Sequence, residues 1–181
     1  MKKILPEEIK QNKKFYINEI KAGKIFIYPT DTLIGLGTDT TNQTAVKKIL
    51  AIKKRQSKPF LIIVPSFDWI RENCEISEKN FTFLKQRLPG PYSFIVKLKN
   101  SPETVGIRIP NSWFTEIIKQ ANLTFITTSV NIAGELPATK IDSIPSDILN
   151  QVDYVIMDDE TPSGKPSTIY DLTGEDEKII R

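Results

Sequence analysis

The longest uninterrupted run of aliphatic or aromatic residues in this chain spans only positions 60–64. A membrane-spanning helix needs about 20 consecutive apolar residues, so we predict no transmembrane segment. The opening MKKILPEEIKQ becomes charged directly after Leu5, which does not suit an export signal. Short apolar runs bounded by polar residues, proline and glycine are typical of buried β-strands. The chain is therefore expected to build its core from many short strands.

Helical patterns alternate with these apolar runs. We expect helices at 6–22, 42–55, 77–88, 112–121 and 144–150. We expect strands at 24–28, 60–64, 92–98, 105–109, 124–128, 153–157, 168–172 and 178–180. Some strands lie between helices and others follow each other directly. The pattern predicts an α/β fold with a mixed sheet flanked by helices, in a single domain over residues 1–181.

The absence of histidine limits the possible chemistry. Among 181 residues there is no histidine and a single cysteine, Cys74. Serine–histidine and cysteine–histidine catalysis and histidine-ligated zinc are therefore excluded. One cysteine cannot form an internal disulfide, which fits a reducing compartment, and we expect a cytoplasmic protein. Any catalysis must depend on charge and positioning.

Positive charge is concentrated in one segment. No acidic residue occurs between Asp39 and Asp68. The cations of this segment are Lys47, Lys48, Lys53, Lys54, Arg55 and Lys58. The net charge of the chain is only +3, so this segment stands out against a nearly balanced background. We expect it to attract anions.

The sequence YPTDTLIGLG at 28–37 and a later segment resemble phosphate-binding motifs only superficially. A dinucleotide fingerprint requires a third glycine where this chain has Thr40. A Walker-type loop at 163–168 would need its first glycine at Asp159, and Pro166 interrupts its end. Neither motif is present.

Hydroxyl and amide side chains gather at three strand ends, where α/β sheets commonly bind ligands. They are Thr30 and Thr32, then Thr127, Thr128, Ser129 and Asn131, then Ser167 and Thr168. Each group alone also suits turns and caps. Arg108 lies in an apolar strand and either faces outward or needs an anionic partner. The repetition of the pattern favours a binding site.

Four motifs together resemble the YrdC/Sua5 family of threonylcarbamoyl-adenylate synthases. They are YPTDT with the following GLG, Lys53-x-Arg55, Ser129-x-Asn131 within TTSVNIAG, and PSTIYDLTG. They occur in the family order and cover nearly the whole chain. The resemblance implies the short, single-domain form with a YrdC/RibB-like fold, a twisted sheet with a positively charged concave cleft.

The resemblance also implies an activity. Such an enzyme combines L-threonine, bicarbonate and ATP, the last with Mg²⁺, into threonylcarbamoyl-adenylate and pyrophosphate. Downstream transfer proteins then use the product to modify adenosine 37 of tRNA. No protein ligand for a metal is assigned.

By resemblance, each motif residue receives a role. Lys53 and Arg55 are expected to act in catalysis on the carbamate and phosphates, with Ser129 and Asn131 placing nucleotide and intermediate. Thr30, Thr32 and Thr127 are expected to bind the threonine substrate, and Arg108 its carboxylate. Ser167 and Arg181 are expected at the phosphates. Gly35 and Gly37 are expected to let the backbone approach the ligand. Asp31 is left open between contacting a metal and capping a turn.

Two other functions are compatible with parts of the pattern. A non-catalytic protein could bind tRNA or rRNA in a basic cleft, and weak tRNA binding could also accompany catalysis. The low net charge and the lack of aromatic residues among the cations count against it as the main role. A carbamoyl-adenylate-forming relative belongs to a larger protein with zinc-finger-like cysteine motifs, which this chain lacks.

Overall fold

The computed structural model describes residues 1–56, 60–158 and 162–181, so Lys58 and Asp159 lie outside the described residues. The strands are β1 (Lys2–Ile4), β2 (Phe26–Pro29), β3 (Ile34–Gly37), β4 (Leu61–Ile63), β5 (Cys74–Glu75), β6 (Tyr92–Leu98), β7 (Thr104–Arg108), β8 (Phe125–Ser129), β9 (Tyr154–Ile156), β10 (Thr168–Asp171) and β11 (Lys178–Ile179). The helices are α1 (Pro6–Gln11), α2 (Lys13–Lys21), α3 (Gln43–Ile52), α4 (Phe67–Asn73), α5 (Glu78–Lys85), α6 (Trp113–Ala121), α7 (Ser146–Leu149) and a 3-10 turn at Ile141–Ser143. Within the described ranges, no helix is both long and apolar enough to cross a membrane.

The strands form one mixed sheet, as the sequence predicts. Its order is β1-β9-β2-β3-β8-β4-β7-β6-β10-β11, with β5 paired to β6. Strands β1 and β2 both run parallel to β9, β4 runs parallel to β7, and β6 to β10. The remaining pairs are antiparallel. Strand β8 lies between β3 and β4 and so joins the two halves of the sheet.

Helices cover the sheet on both faces, because its central strands are apolar on both sides. Phe26 and Tyr28 of β2 pack in one core cluster with residues of α1, α2 and α6. Ile25 and Ile27, which point to the opposite face, pack with residues of α3 and α7. A third cluster lies between β6, β7, α4 and α5. A strand buried on both faces reads as a continuous apolar run, which is why β2 was predictable.

The structure differs from the sequence expectations at short elements. The expected helix at 6–22 is two helices, separated at Asn12, whose backbone is not helical (φ −118°, ψ 38°). Strands β1, β3 and β5 and helix α4 were not predicted. Strand β3 carries the sequence IGLG, and glycine is unfavourable in strands. It forms because its backbone pairs with β2 and β8.

The expectation that Gly35 and Gly37 allow close approach to a ligand is wrong. Both lie in β3, and the space beside each α-carbon is filled by protein. A β-carbon at Gly35 would lie 2.7 Å from the Tyr28 ring. At Gly37 it would lie 2.0 Å from the backbone oxygen of Ile126. These glycines allow the three strands to pack closely.

We expect Gly37→Ala to destabilise the fold, because a methyl group cannot displace a backbone carbonyl of the central strand β8. The expected loss is about 3 kcal/mol in the free energy of unfolding, measured by urea denaturation. Gly174→Ala is the matched control, since a β-carbon added there would meet no heavy atom within 4 Å. Equal stability of the two variants would contradict this account of β3.

Candidate active site

A cavity of about 360 Å³ opens where the ends of several strands converge. Its walls come from the turn after β2, the segment after α3, the ends of β7 and β8 and the loop before β10. The lining residues are Thr30, Thr32, Leu33, Ile34, Arg55, Phe60, Leu61, Arg108, Thr127, Thr128, Ser129, Asn131, Glu135, Pro137, Pro166, Ser167, Ile169 and Arg181. Among these described residues, three arginines accompany one carboxylate. The composition of the wall suits an anionic ligand.

Of the ten side chains expected to act in catalysis or binding, all except Lys53 line this one cavity. The residues brought together are Thr30, Thr32, Arg55, Arg108, Thr127, Ser129, Asn131, Ser167 and Arg181. They come from separate parts of the sequence, and the order of strands in the sheet explains why they lie close together. Register places Ser129 of β8 opposite Gly35 of β3, while Ile63 of β4 pairs with Arg108 of β7.

The turn between β2 and β3 forms one wall, and Thr30 holds it in shape. The Thr30 Oγ1 atom accepts hydrogen bonds from the backbone N–H groups of Thr32 (3.1 Å) and Leu33 (3.2 Å). It also donates to the Leu33 carbonyl at 2.7 Å. The Thr30 hydroxyl therefore mainly stabilises the turn in which it lies. The hydroxyl of Thr32 instead reaches across to β7.

Arg108 is buried and faces inward, which decides between the two interpretations of this residue. Its Nη2 atom lies 2.6 Å from Asp31 Oδ1, and its Nη1 atom donates to Thr32 Oγ1 at 3.1 Å. The second Asp31 oxygen accepts a hydrogen bond from the Asn111 backbone N–H at 3.0 Å. Burial lowers the pKa of the Arg108 guanidinium, and the neighbouring Asp31 carboxylate opposes that shift.

Arg55 reaches the cavity because α3 ends in a sharp reversal of the chain. The helix ends at Ile52, and Lys54 takes a left-handed conformation (φ 48°). The Lys54 N–H donates to Ala51 O and the Arg55 N–H to Leu50 O, which is the Schellman pattern. The guanidinium of Arg55 then lies 5.2 Å from the Phe60 ring centre. The predicted last helical turn at 53–55 is thus a turn that directs Arg55 to the site.

Lys53 organises the wall rather than lining it. Its buried ammonium donates to the Ser129 carbonyl at 2.7 Å and to Asn131 Oδ1 at 2.5 Å. Ser129 Oγ donates to the same Asn131 oxygen, and the Asn131 amide donates to Glu135 O, each at 2.6 Å. Burial, and then the nearby Arg55 cation, lower the pKa of Lys53 to about 8. Lys53 therefore supports the loop that follows β8.

Ser167 and Arg181 lie next to each other in the cavity wall. The Ser167 hydroxyl lies 2.9 Å from the hydroxyl of Ser93, and both are buried. Arg181 donates from Nη2 to the Ser167 carbonyl at 3.3 Å, and its own carbonyl accepts from the Ile169 N–H at 2.9 Å. Pairing between β10 and β11 carries Arg181 back to the cavity.

Sequence reasoning did not find all the residues that shape this site. It did not identify Asp31 as the partner of Arg108, although an inward arginine requires an anion. The apolar wall of Phe60, Leu61 and Ile169 was also missed. Apolar residues in strands carry no local signal that separates a cavity wall from the core.

Comparison with known proteins places the chain in a family. The profile of Sua5/YciO/YrdC proteins, described as "Telomere recombination", matches residues 18–181. The chain belongs to the Sua5/YciO/YrdC family. It is 36% identical to "Putative threonylcarbamoyl-AMP synthase" of Methanocaldococcus jannaschii over 96% of this chain and 86% of that protein.

Solved structures of family members share the fold. Sua5 of P. abyssi complexed with L-threonine matches with a TM-score of 0.86 and 25% identity, over 99% of this chain and 56% of that chain. The H234A/Y235A form of the same protein matches with a TM-score of 0.87 and 27% identity, over 99% of this chain and 60% of that one. E. coli YciO, 21% identical, matches with a TM-score of 0.82 over 94% of this chain and 88% of that one. The chain thus spans 60% or less of the length of Sua5.

The described part of the cavity wall offers few ligands for Mg²⁺. Glu135 is the one carboxylate among the described lining residues, and no cluster of three or more Cys, Asp or Glu side chains suited to a metal occurs in the described ranges. Mg²⁺ prefers oxygen ligands and commonly binds through nucleotide phosphates. We therefore assign none of the described residues to it.

The shifted pKa of Lys53 predicts a pH-dependent stability. The pKa of an unfolded lysine is 10.5 and that of folded Lys53 about 8, so between these values the unfolded chain holds a proton that the folded chain has lost. Stability linked to this residue therefore rises as the pH increases from about 8 to about 10.5. Relative to Lys53→Met, the wild-type protein should become more stable over this window in urea denaturation.

Lys54→Met, at an exposed neighbouring lysine, is the control for loss of a surface cation. A stability difference between wild type and Lys53→Met that stays constant with pH would show that folded Lys53 titrates as an ordinary lysine.

Proposed function

We propose that this chain is an L-threonylcarbamoyladenylate synthase, which converts L-threonine, bicarbonate and ATP into threonylcarbamoyl-AMP and pyrophosphate. The main observation is that nine side chains from distant motifs line one cavity rich in arginine. The similarity to the M. jannaschii protein and to Sua5 complexed with L-threonine supports the choice of reaction.

The reaction has two stages, and neither requires histidine. The neutral amine of threonine attacks the carbon of bicarbonate, forming a C–N bond and releasing water, which leaves a carbamate. A carbamate oxygen then attacks the α-phosphorus of ATP, the bond to the β-phosphate oxygen breaks, and pyrophosphate leaves. The carbamate is already anionic, so its attack needs no general base. The protein must hold two anions together and stabilise charge on phosphate oxygens.

The charges of the cavity suit this task. Arg55 and Arg181 both line the cavity and act on the phosphates, while Arg108 with Thr32 receives the threonine carboxylate. Ser129 and Asn131 place the nucleotide and the intermediate, held by Lys53 from behind. A planar guanidinium binds carboxylate or phosphate through two parallel hydrogen bonds, which fixes orientation as well as charge.

Threonylcarbamoyl-AMP is an activated intermediate, so the proposal includes downstream proteins that transfer its threonylcarbamoyl group to adenosine 37 of tRNA. We place this activity in the cytoplasm. Mg²⁺ enters with ATP, bound to its phosphates.

Substrate dependence tests the reaction. Pyrophosphate release from ATP by the purified protein should require both L-threonine and bicarbonate, and mass spectrometry should detect threonylcarbamoyl-AMP. L-serine should substitute poorly, because it lacks one methyl group, although an apolar pocket discriminates one methylene by only about 1 to 3 kcal/mol. Release of pyrophosphate that depends on neither substrate would contradict the proposal. RNA binding that weakens steeply with salt, without any pyrophosphate, would favour an RNA-binding protein instead.

Loss of a charge at the cavity should reduce turnover strongly. We expect Arg55→Ala to lower kcat by about two to three orders of magnitude, as for removal of one preorganised charge contact. Lys53→Ala should have a comparable effect, because it removes the ammonium that donates to both Ser129 and Asn131. Lys54→Ala removes the intervening lysine, which is exposed and lies outside the cavity wall, and should leave kcat within about twofold. Full activity of Arg55→Ala and Lys53→Ala would show that the phosphate site lies elsewhere.

A further inference from the structure

Asp31 lies behind the cavity wall, whereas Arg108, its ion-pair partner, forms part of that wall. The side chains are only 13% and 6% exposed, and their charged atoms are 2.6 Å apart. The other oxygen of Asp31 is fixed by the backbone N–H of Asn111. A carboxylate held on both sides cannot follow the movement of a neighbouring side chain. It therefore restrains the guanidinium.

One turn holds both terminal nitrogens of that guanidinium. Asp31 binds Nη2 and the adjacent Thr32 binds Nη1, while the buried Nε has no hydrogen-bond partner among the described residues. The turn is itself fixed by Thr30 and by two backbone hydrogen bonds. The Ser163 N–H donates to the Asp31 carbonyl, and the Gly164 N–H donates to the Thr32 carbonyl. Arginine has five N–H donors in a rigid plane, so fixing two nitrogens sets the direction of all the others.

We propose that Asp31 is a positioning residue for the amino-acid substrate: by fixing the plane of the Arg108 guanidinium, it determines how the substrate carboxylate is held. The inference rests on the proposed function, in which L-threonine enters this cavity. Asp31 itself does not touch the substrate, and its effect passes through Arg108.

Asp31 has two opposing effects on a bound carboxylate. Its negative charge weakens the attraction of Arg108 for an anion, so removing the charge alone would tighten binding. Its hydrogen bonds orient the planar guanidinium of Arg108, so removing them would weaken binding. Bidentate recognition of a carboxylate depends on direction as well as charge. We therefore expect orientation to dominate.

The experiment compares two ligands that differ only at the carboxyl group, L-threonine and its neutral amide, L-threoninamide. Calorimetric titration should show that the wild-type protein binds L-threonine at least about tenfold more tightly, the effect of one charge-assisted contact. In Asp31→Asn, which keeps the shape but cannot accept both hydrogen bonds, this preference should fall to about twofold. Affinity for ATP should stay within about twofold of wild type.

The outcomes separate orientation from the other roles. Equal weakening of both ligands would indicate a merely structural effect and overturn the inference, as would an unchanged preference. A preference that rises in Asp31→Asn would show that Asp31 only offsets the charge of Arg108, which also overturns it. If the wild-type protein binds neither ligand, the proposed function itself fails.

A second variant covers the case in which Asp31→Asn does not fold, since removing one partner of a buried ion pair is often strongly destabilising. Asp31→Glu keeps the charge but moves it by one methylene. It should lower the preference for L-threonine by at least about threefold, and a preference equal to that of wild type would overturn the inference.

Discussion

The central position of β8, between β3 and β4, decides where the cavity forms. Its antiparallel pairing with both neighbours joins the two halves of the sheet. The close approach of Gly37 to the Ile126 carbonyl makes this pairing possible. As a result, the end of β8 and the loop after it face the turn after β2, and the cavity lies between them. The site is a consequence of strand order.

The chain has no histidine, and the cations at this cavity are arginines and a lysine, each held in a different way. Arg108 is buried beside Asp31, Arg55 follows a helix-ending turn, and Arg181 follows β11, where its carbonyl accepts a hydrogen bond from the Ile169 N–H of β10. Burial lowers the pKa of Lys53, and its amino group donates hydrogen bonds to the Ser129 carbonyl and to Asn131 Oδ1. Fixed donors need no reorganisation when phosphate charge shifts, and this arrangement suits adenylate-forming chemistry.

Several residues of the cavity wall also have a structural role. Thr30 closes a turn, Ser129 and Asn131 form a hydrogen-bonded wall with Lys53, and Ser167 pairs with Ser93. Such pairing holds side chains in one rotamer before a ligand arrives, which lowers the entropic cost of binding. The polar residues at the strand ends therefore both stabilise the local turns and loops and line the cavity.

The order of amino acids is enough to predict the mixed α/β fold, because apolar runs and helical periodicity are local properties of the chain. It also supplied the ten candidate residues, through motifs that are similar to those of a known family. The folded arrangement was needed to show that Arg108 faces Asp31 and that Lys53 lies behind the wall rather than in it. It alone showed that Gly35 and Gly37 serve strand packing and that IGLG forms a strand. These outcomes depend on partners distant in sequence, and local patterns contain no information on which distant groups will meet.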